Sequence, residues 1–312
     1  MKPDPIRRAR NALARKPPGL ARAAGLGLTL SATALLGACA SGPPAPQPRA
    51  PLVIAGRTPQ TILGKKELTR IASSVPASRQ KNVTRAEAFG QIIYRHDRLA
   101  REAGRLVAPN GETPFSFPPA GWLTERTPSG LGLVFIVHEN RKLDVAAEVT
   151  DTGAGPDLHR VTPPRALTVP ESILWKARQI AYSSKFKPCA KRYNPVVVPV
   201  REHGERFIDV FLLPASADPH TIYLGGYQRV VVSPDGNAIL EAHSFTHGCI
   251  TLHSSGKTTG AKVTEIVSET PTAPQVYASL RYGLPIYVQT LGNGLSWLVK
   301  DGKVSLEGKT SR

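Results

Sequence analysis

The feature that most limits the fold is a succession of short β-forming segments separated by turn signals from residue 196 onward. Turn-favouring sequences such as Pro234-Asp235-Gly236 and Gly292-Asn293-Gly294 lie between these segments. Strands this short, joined by tight connections, are typical of antiparallel meanders. The predicted strands are 196–200, 206–213, 227–233, 238–245, 285–290, 295–300 and 303–307.

The segment 84–108 has the apolar stripe of an amphipathic helix. Thr84 stands three residues before Glu87, and this spacing predicts a capping box at the start of the helix. His96 is then expected on the polar face of this helix.

A second helix is predicted over 169–186, where Thr168 and Glu171 form a capping box and Pro170 suits the first turn. A third, short helix is predicted over 273–283.

A hairpin is predicted over 130–149, with its turn at 139–142. Asp209 lies on an alternating strand and is expected to be an outward, solvated carboxylate. The elements together predict an α+β fold, in which antiparallel sheet meanders carry two or three helices packed to one side. Residues 82–312 are expected to form one domain.

The N-terminal residues are typical of a secretory signal. Residues 1–22 contain seven lysines and arginines against the single acid Asp4, and an uncharged, mostly apolar run follows over 23–38. That run is shorter than the ~20 apolar residues that span a bilayer.

The end of the run, Leu36-Gly37-Ala38-Cys39, resembles a bacterial lipobox. In lipoproteins the signal is cut before this cysteine, which is acylated, so the resemblance implies a signal peptide over 1–38 and lipid attachment at Cys39. Ala40 resembles the residue that directs lipoproteins to the outer membrane, facing the periplasm. The proline-rich residues 39–81 would then form a tether. An ordinary signal peptide with an incidental cysteine is the alternative.

The charge of the chain suggests its partners. The formal net charge is +17, and removal of residues 1–38 leaves 33 basic and 22 acidic residues, a net charge of +11. Besides the membrane itself, candidate partners are peptidoglycan and anionic envelope lipids. Nucleic acid is not expected as a partner, because no basic run is interleaved with aromatic residues.

Four residues with chemically active side chains lie close together in the segment 241–253, "EAHSFTHGCITLH": His243, His247, Cys249 and His253. "THGCITL", from Thr246 onward, resembles the signature of the L,D-transpeptidases of the cell wall. The resemblance implies that Cys249 is a nucleophile and that Thr246, His247 and Gly248 form the loop around it. This sequence departs from the family's pattern because it has no histidine about fifteen residues before the motif to serve as the base.

The same four side chains could instead hold a metal ion. All four have odd numbers and would share one face of an uninterrupted strand. Four ligands must surround a zinc ion within about 2.3 Å, so the strand would need a tight bend at Gly248. Neither a metal nor another cofactor is expected.

A count of the thiols supports a structural interpretation. If Cys39 carries lipid, Cys189 and Cys249 are the remaining cysteines, and two thiols exported to an oxidising compartment are expected to pair. An oxidised Cys249 is not a nucleophile. The prediction is therefore a non-enzymatic lipoprotein with a binding or structural role between membrane and cell wall. The alternative is a cysteine-dependent, L,D-transpeptidase-like enzyme.

Overall fold

The computed structural model describes residues 77–108, 115, 119–128, 130–139, 141–151, 153–254 and 258–309. The predicted signal peptide, Cys39 and most of the predicted tether lie outside the described residues.

Three helices and fourteen strands make up the described part of the chain. The helices are α1 (Ala77–Val107), α2 (Val169–Ala181) and α3 (Ala273–Tyr282). The strands before α3 are β1 (Pro119–Thr127), β2 (Gly130–Glu139), β3 (Lys142–Asp151), β4 (Pro156–Ala166), β5 (Arg192–Glu202), β6 (Glu205–Ala215), β7 (Thr221–Tyr223), β8 (Gln228–Val232), β9 (Ile239–Ser244), β10 (Thr251–His253) and β11 (Ala261–Glu265). After α3 come β12 (Ile286–Thr290), β13 (Leu295–Lys300) and β14 (Lys303–Lys309).

The strands form three four-stranded sheets and one short ribbon. The first sheet has the order β1-β2-β3-β4 and the second the order β5-β6-β8-β9, both antiparallel. The third has the order β11-β12-β13-β14, in which only β11 and β12 are parallel because α3 connects them. Strands β7 and β10 pair by themselves. The predicted α+β class with antiparallel meanders is confirmed.

The second sheet is covered by helices on both faces. Successive side chains of a strand point to opposite faces, and on β6 Val210 and Leu212 share a buried cluster with Trp175 of α2. Phe211, between them, belongs to a separate cluster with Ile93 of α1. Helices therefore lie on both faces of this sheet, not on one side as the sequence predicted. Burial of both faces explains why residues 207–213 of β6 are apolar except for Asp209.

Helices α1 and α3 cross closely at Gly90. A Cβ atom at this position would lie 2.5 Å from the Cβ atom of Val276, so glycine allows the two backbones to approach. Val276 also packs in a cluster with Trp297 and Val299 of the third sheet. Helix α3 therefore joins the third sheet to α1.

The predicted start of α1 is wrong. The helix begins at Ala77, which lies in the predicted tether, and Thr84 is inside the helix, where its hydroxyl donates to the carbonyl of Gln80. Glu87 accepts from the backbone N–H of Val304 and pairs with Lys303 instead of capping the helix. A Thr–Glu pair three residues apart also occurs inside helices, so its spacing alone does not mark an end.

The capping box of α2 is confirmed. The Thr168 hydroxyl accepts from the backbone N–H of Glu171, and the Glu171 carboxylate accepts from the N–H of Thr168. The helix ends at Ala181, before the predicted end at 186.

The predicted hairpin of β2 and β3 is confirmed, and so is the short helix α3. Strands β1, β4, β7, β10 and β11 were not predicted. In β4, Pro163 and Pro164 weaken the strand pattern, and the strand lies at the edge of its sheet, where proline is tolerated.

Candidate functional site

The structure spreads the four residues of the His/Cys segment over three elements. His243 lies on β9 opposite Arg229 and packs edge-on against Phe245, with 4.9 Å between ring centroids. His247 and Cys249 lie in the exposed loop before β10. His253 lies on β10, and its Nδ1 atom is 3.8 Å from a carboxylate oxygen of Asp218. Among the described residues, no three His, Cys, Asp or Glu side chains are grouped so as to hold a metal ion.

Cys249 forms a disulfide with Cys189, as the sequence predicted. The two Sγ atoms are 2.03 Å apart and the two Cα atoms 5.3 Å apart. The bond connects the loop before β10 to the segment between α2 and β5 and spans 60 residues of sequence. The Cys249 sulfur is therefore not a thiol in this structure.

A hydrogen-bond network holds the loop of Cys249 against Gly225 and Gly226. The Thr246 hydroxyl accepts from the Gly226 N–H at 2.9 Å and donates to the Gly248 carbonyl at 2.8 Å. The Ile250 carbonyl accepts from the N–H groups of Leu224 and Gly225. The hydroxyl of the Thr-His-Gly-Cys motif thus fixes the loop, and these neighbouring N–H groups are occupied by loop oxygens.

The Cys189 side of the disulfide is held by an aromatic group. The Tyr193 hydroxyl accepts from the Cys189 N–H at 2.7 Å, and the Tyr193 ring packs edge-on against Phe186 at 5.4 Å. The Tyr182 hydroxyl donates to the Tyr193 carbonyl. These contacts place Cys189 where Cys249 can reach it.

A small crevice of about 240 Å³ opens beside the disulfide. Its lining contains Lys187, Gln228, Ser244 and the exposed His247. The structure therefore places Thr246, His247 and Gly248 in the wall of a surface crevice, next to Cys249, whose sulfur is already bonded to that of Cys189.

Asp209 is a correction to the sequence-based prediction, because its carboxylate is completely buried instead of solvated. Arg229 of β8 donates to both carboxylate oxygens, from Nε to Oδ1 and from Nη2 to Oδ2, each at 3.0 Å. Asp209 and Arg229 are diagonal neighbours on β6 and β8, since Phe211 pairs with Arg229 in the register. Burial raises the pKa of the Asp209 carboxyl, and Arg229 opposes that rise.

A second acid–base pair lies next to the first. Arg85 of α1 donates to Glu202 at the end of β5, and this hydrogen bond lowers the pKa of the Glu202 carboxyl. The guanidinium of Arg85 also lies over the ring of Phe89, 5.2 Å from its centroid. Arg85 and Arg229 border one cleft, which sequence reasoning missed because its residues come from distant parts of the chain. The signal available in the sequence was the acid Asp209 within the otherwise apolar run 207–213.

His96 of α1 is also buried more than expected for a polar face. Its Nδ1 atom is 2.6 Å from the hydroxyl of Thr124 on β1. Burial, with smaller contributions from the positive charges of Arg95 and Arg126, lowers the pKa of His96 to about 4. The imidazole is therefore neutral at physiological pH.

None of the described helices is both long and apolar enough to cross a membrane. Comparison with protein-family models, with curated protein sequences and with solved structures gave no match to this chain.

Proposed function

We propose that the chain is an exported bacterial lipoprotein that is anchored by lipid on Cys39 to the outer membrane and faces the periplasm. Its folded domain acts there by binding or structural support, without enzymatic activity. The observation that carries the proposal is the disulfide between Cys189 and Cys249. Disulfides persist in oxidising compartments and are rare in the reducing cytoplasm, so this bond favours export.

The disulfide also favours a non-enzymatic role. Cysteine-dependent acyl transfer requires a thiolate, and the sulfur of Cys249 is bonded to that of Cys189. The nearby N–H groups of Gly225 and Gly226 already donate to Ile250 and Thr246. In this arrangement the Thr-His-Gly-Cys loop serves to hold the chain together.

The positive charge favours an anionic partner at the envelope. The net charge of +11 after residue 38 supports peptidoglycan or anionic lipids as the surface that the domain contacts. Retention of the full-length chain on isolated peptidoglycan or on anionic vesicles should weaken as salt rises, because ions screen exposed charges. Retention that does not change with salt would contradict a charge-based partner.

Metabolic labelling tests the anchor. Cells that express the full-length chain with labelled palmitate should incorporate the label, and the chain should fractionate with the outer membrane. The variant Cys39→Ala should take up no label and should leave the membrane fraction. Equal fractionation of both chains, without label in either, would overturn the proposal.

The alternative function is cysteine-dependent transpeptidation, which rests on the resemblance of Thr246–Leu252 to the L,D-transpeptidase signature. A carbapenem is a suitable probe because it acylates activated cysteine nucleophiles. We expect no adduct on the oxidised chain, on the reduced chain or on Cys189→Ser, which frees the Cys249 thiol. An adduct that maps to Cys249 would favour the enzyme.

A further inference from the structure

A cleft of about 190 Å³ lies between the first half of α1, the face of the second sheet that contains Phe211, and the segment that leads into α3. Its lining includes guanidiniums and aromatic rings, among small and neutral polar residues. The residues that matter for its chemistry are Arg85, Phe89, Phe211, Arg229 and Phe245. Nothing in the function proposed above uses this cleft.

The carboxylates that pair with Arg229 and Arg85, those of Asp209 and Glu202, lie outside the cleft. Asp209 has no exposed surface and does not line the cleft, and Glu202 does not line it either. No described lining residue is acidic. The carboxylates therefore hold the arginines in place, and the only charged side chains in the described lining of the cleft are the two arginines.

Arg229 is oriented for a second anion. Asp209 occupies Nε and Nη2, whereas Nη1 has no hydrogen-bond partner among the described residues. The Arg229 side chain is 20% exposed to solvent, and it lines the cleft. A guanidinium fixed on one edge by a buried carboxylate loses little freedom when its other edge binds a ligand.

The aromatic rings form an apolar surface beside these charges. The centroids of Phe89 and Phe211 are 6.0 Å apart, and Arg85 lies over the Phe89 ring. Phe245, which follows β9, adds a third ring to the lining. Pockets that combine apolar walls with a few placed polar groups are typical of small-molecule sites.

The segment that leads into α3 forms one wall of the cleft, and hydrogen bonds to a buried carboxylate fix its position. Glu265, which is 2% exposed, accepts from the N–H groups of Val267 and Ser268 and from the side chain of Gln275. These bonds fix the segment that contains Ser268 and Thr270. The cleft is therefore formed before any ligand arrives.

We propose that this cleft binds an organic carboxylate attached to a small apolar body, with Arg229 and Arg85 receiving the carboxylate and the phenylalanine rings contacting the body. A planar carboxylate matches the fork of guanidinium N–H groups, and such charged hydrogen bonds are the strong ones. The proposal goes beyond the anchored binding role, and it does not depend on lipid attachment.

Two sources can supply this chemistry, the C-terminus of a peptide and a free hydrophobic acid. Calorimetric titration of the full-length chain with two probes separates them. N-acetyl-Ala-Ala with a free carboxylate represents the peptide, and 3-phenylpropanoate represents the free acid. The matched controls are the amides of both probes, which keep the apolar body and lose the charge.

We expect saturable binding of at least one acid, and binding of its amide at least about tenfold weaker, because the lost hydrogen bonds involve charged groups. Binding of one acid but not the other identifies the source. Arg85→Gln should weaken binding several-fold, and Arg229→Gln at least about tenfold. Arg206→Gln removes the same charge from an exposed residue outside the cleft and should change nothing.

Arg229→Gln leaves the buried Asp209 without its partner and can unfold the chain. The double variant Asp209→Asn with Arg229→Gln removes both charges and tests the same loss of binding. The proposal is overturned if neither acid binds saturably, if acid and amide bind equally, or if Arg206→Gln weakens binding as much as Arg85→Gln. Failure here would leave palmitate labelling of Cys39 unaffected, so the two proposals fail independently.

Discussion

Cys189 packs directly against Gly226. A Cβ atom at position 226 would lie 2.6 Å from the Cβ atom of Cys189 and 2.8 Å from its Sγ atom. Gly226 also has a φ of +84°, which L-residues with side chains rarely adopt. The close approach of Cys189 and the positive φ therefore both favour glycine at position 226. The glycine next to the disulfide is therefore part of what allows the bond to form.

We expect Gly226→Ala to lower the free energy of unfolding by about 2 to 4 kcal/mol, from backbone strain and from the clash with Cys189. Urea denaturation of both chains under oxidising conditions measures the change. Gly248→Ala, in the loop before β10, is the matched control, because nothing lies within 4 Å of its added Cβ atom. It should change stability by less than about 0.5 kcal/mol. Equal effects of the two substitutions would contradict the packing described here.

Removal of the disulfide should lower stability by about 4 kcal/mol, because the bond closes a loop of 60 residues. The chain to measure is the double variant Cys189→Ala with Cys249→Ala, unfolded in urea. Its stability should not respond to reductant, whereas that of the natural chain should fall on reduction. A loss below about 1 kcal/mol would mean that the bond adds little to the fold.

The two threonines that the sequence marked as helix caps should behave differently. Thr168→Ala should cost about 1 kcal/mol, because Thr168 caps α2. Thr84→Ala should change stability by less than about 0.5 kcal/mol, because Thr84 is an exposed residue inside α1 and alanine is the better helix former. Thermal or urea unfolding of the two variants compares them. A cost of 1 kcal/mol or more at Thr84 would contradict its assigned place.

His96 makes stability depend on pH in one window. Its pKa is about 4 in the folded chain and 6.5 ordinarily, so the unfolded chain binds more protons between these values. The contribution of His96 to the free energy of unfolding should therefore be constant above about pH 7.5 and should fall as the pH drops, by an amount on the order of 2 kcal/mol at pH 5. His96→Asn keeps a hydrogen-bonding atom near Thr124 and should reduce this fall. Urea unfolding at pH 7.5 and pH 5 measures it, and an unchanged fall in the variant would assign the effect to other groups.

Local patterns predicted part of the fold, although the equally local Thr84–Glu87 pair gave a wrong start for α1. Thr168 and Glu171 lie within one helical turn, and both the capping box and α2 are present. The hairpin of β2 and β3 also depends on neighbouring residues. Strand β4 was missed because Pro163 and Pro164 disfavour strands, and only its place at the sheet edge makes them acceptable.

The candidate sites also differ in whether their features could be predicted without knowledge of the fold. Pairing of Cys189 with Cys249 followed from counting thiols, which needs no geometry. Burial of Asp209 depends on its diagonal position to Arg229 across β6 and β8 and on the cover provided by α1, and this register is not visible in either segment alone. The cleft combines residues from α1, two strands and the segment before α3, so no local pattern marks it.

One measurement tests the central claim most directly: non-reducing peptide mass spectrometry of the full-length gene product, purified from the membranes of cells that express it. The account predicts that the chain starts at Cys39 with acyl chains attached, and that a single linked species joins the peptides of Cys189 and Cys249. An unacylated Cys39 together with free thiols at the other two cysteines would contradict it.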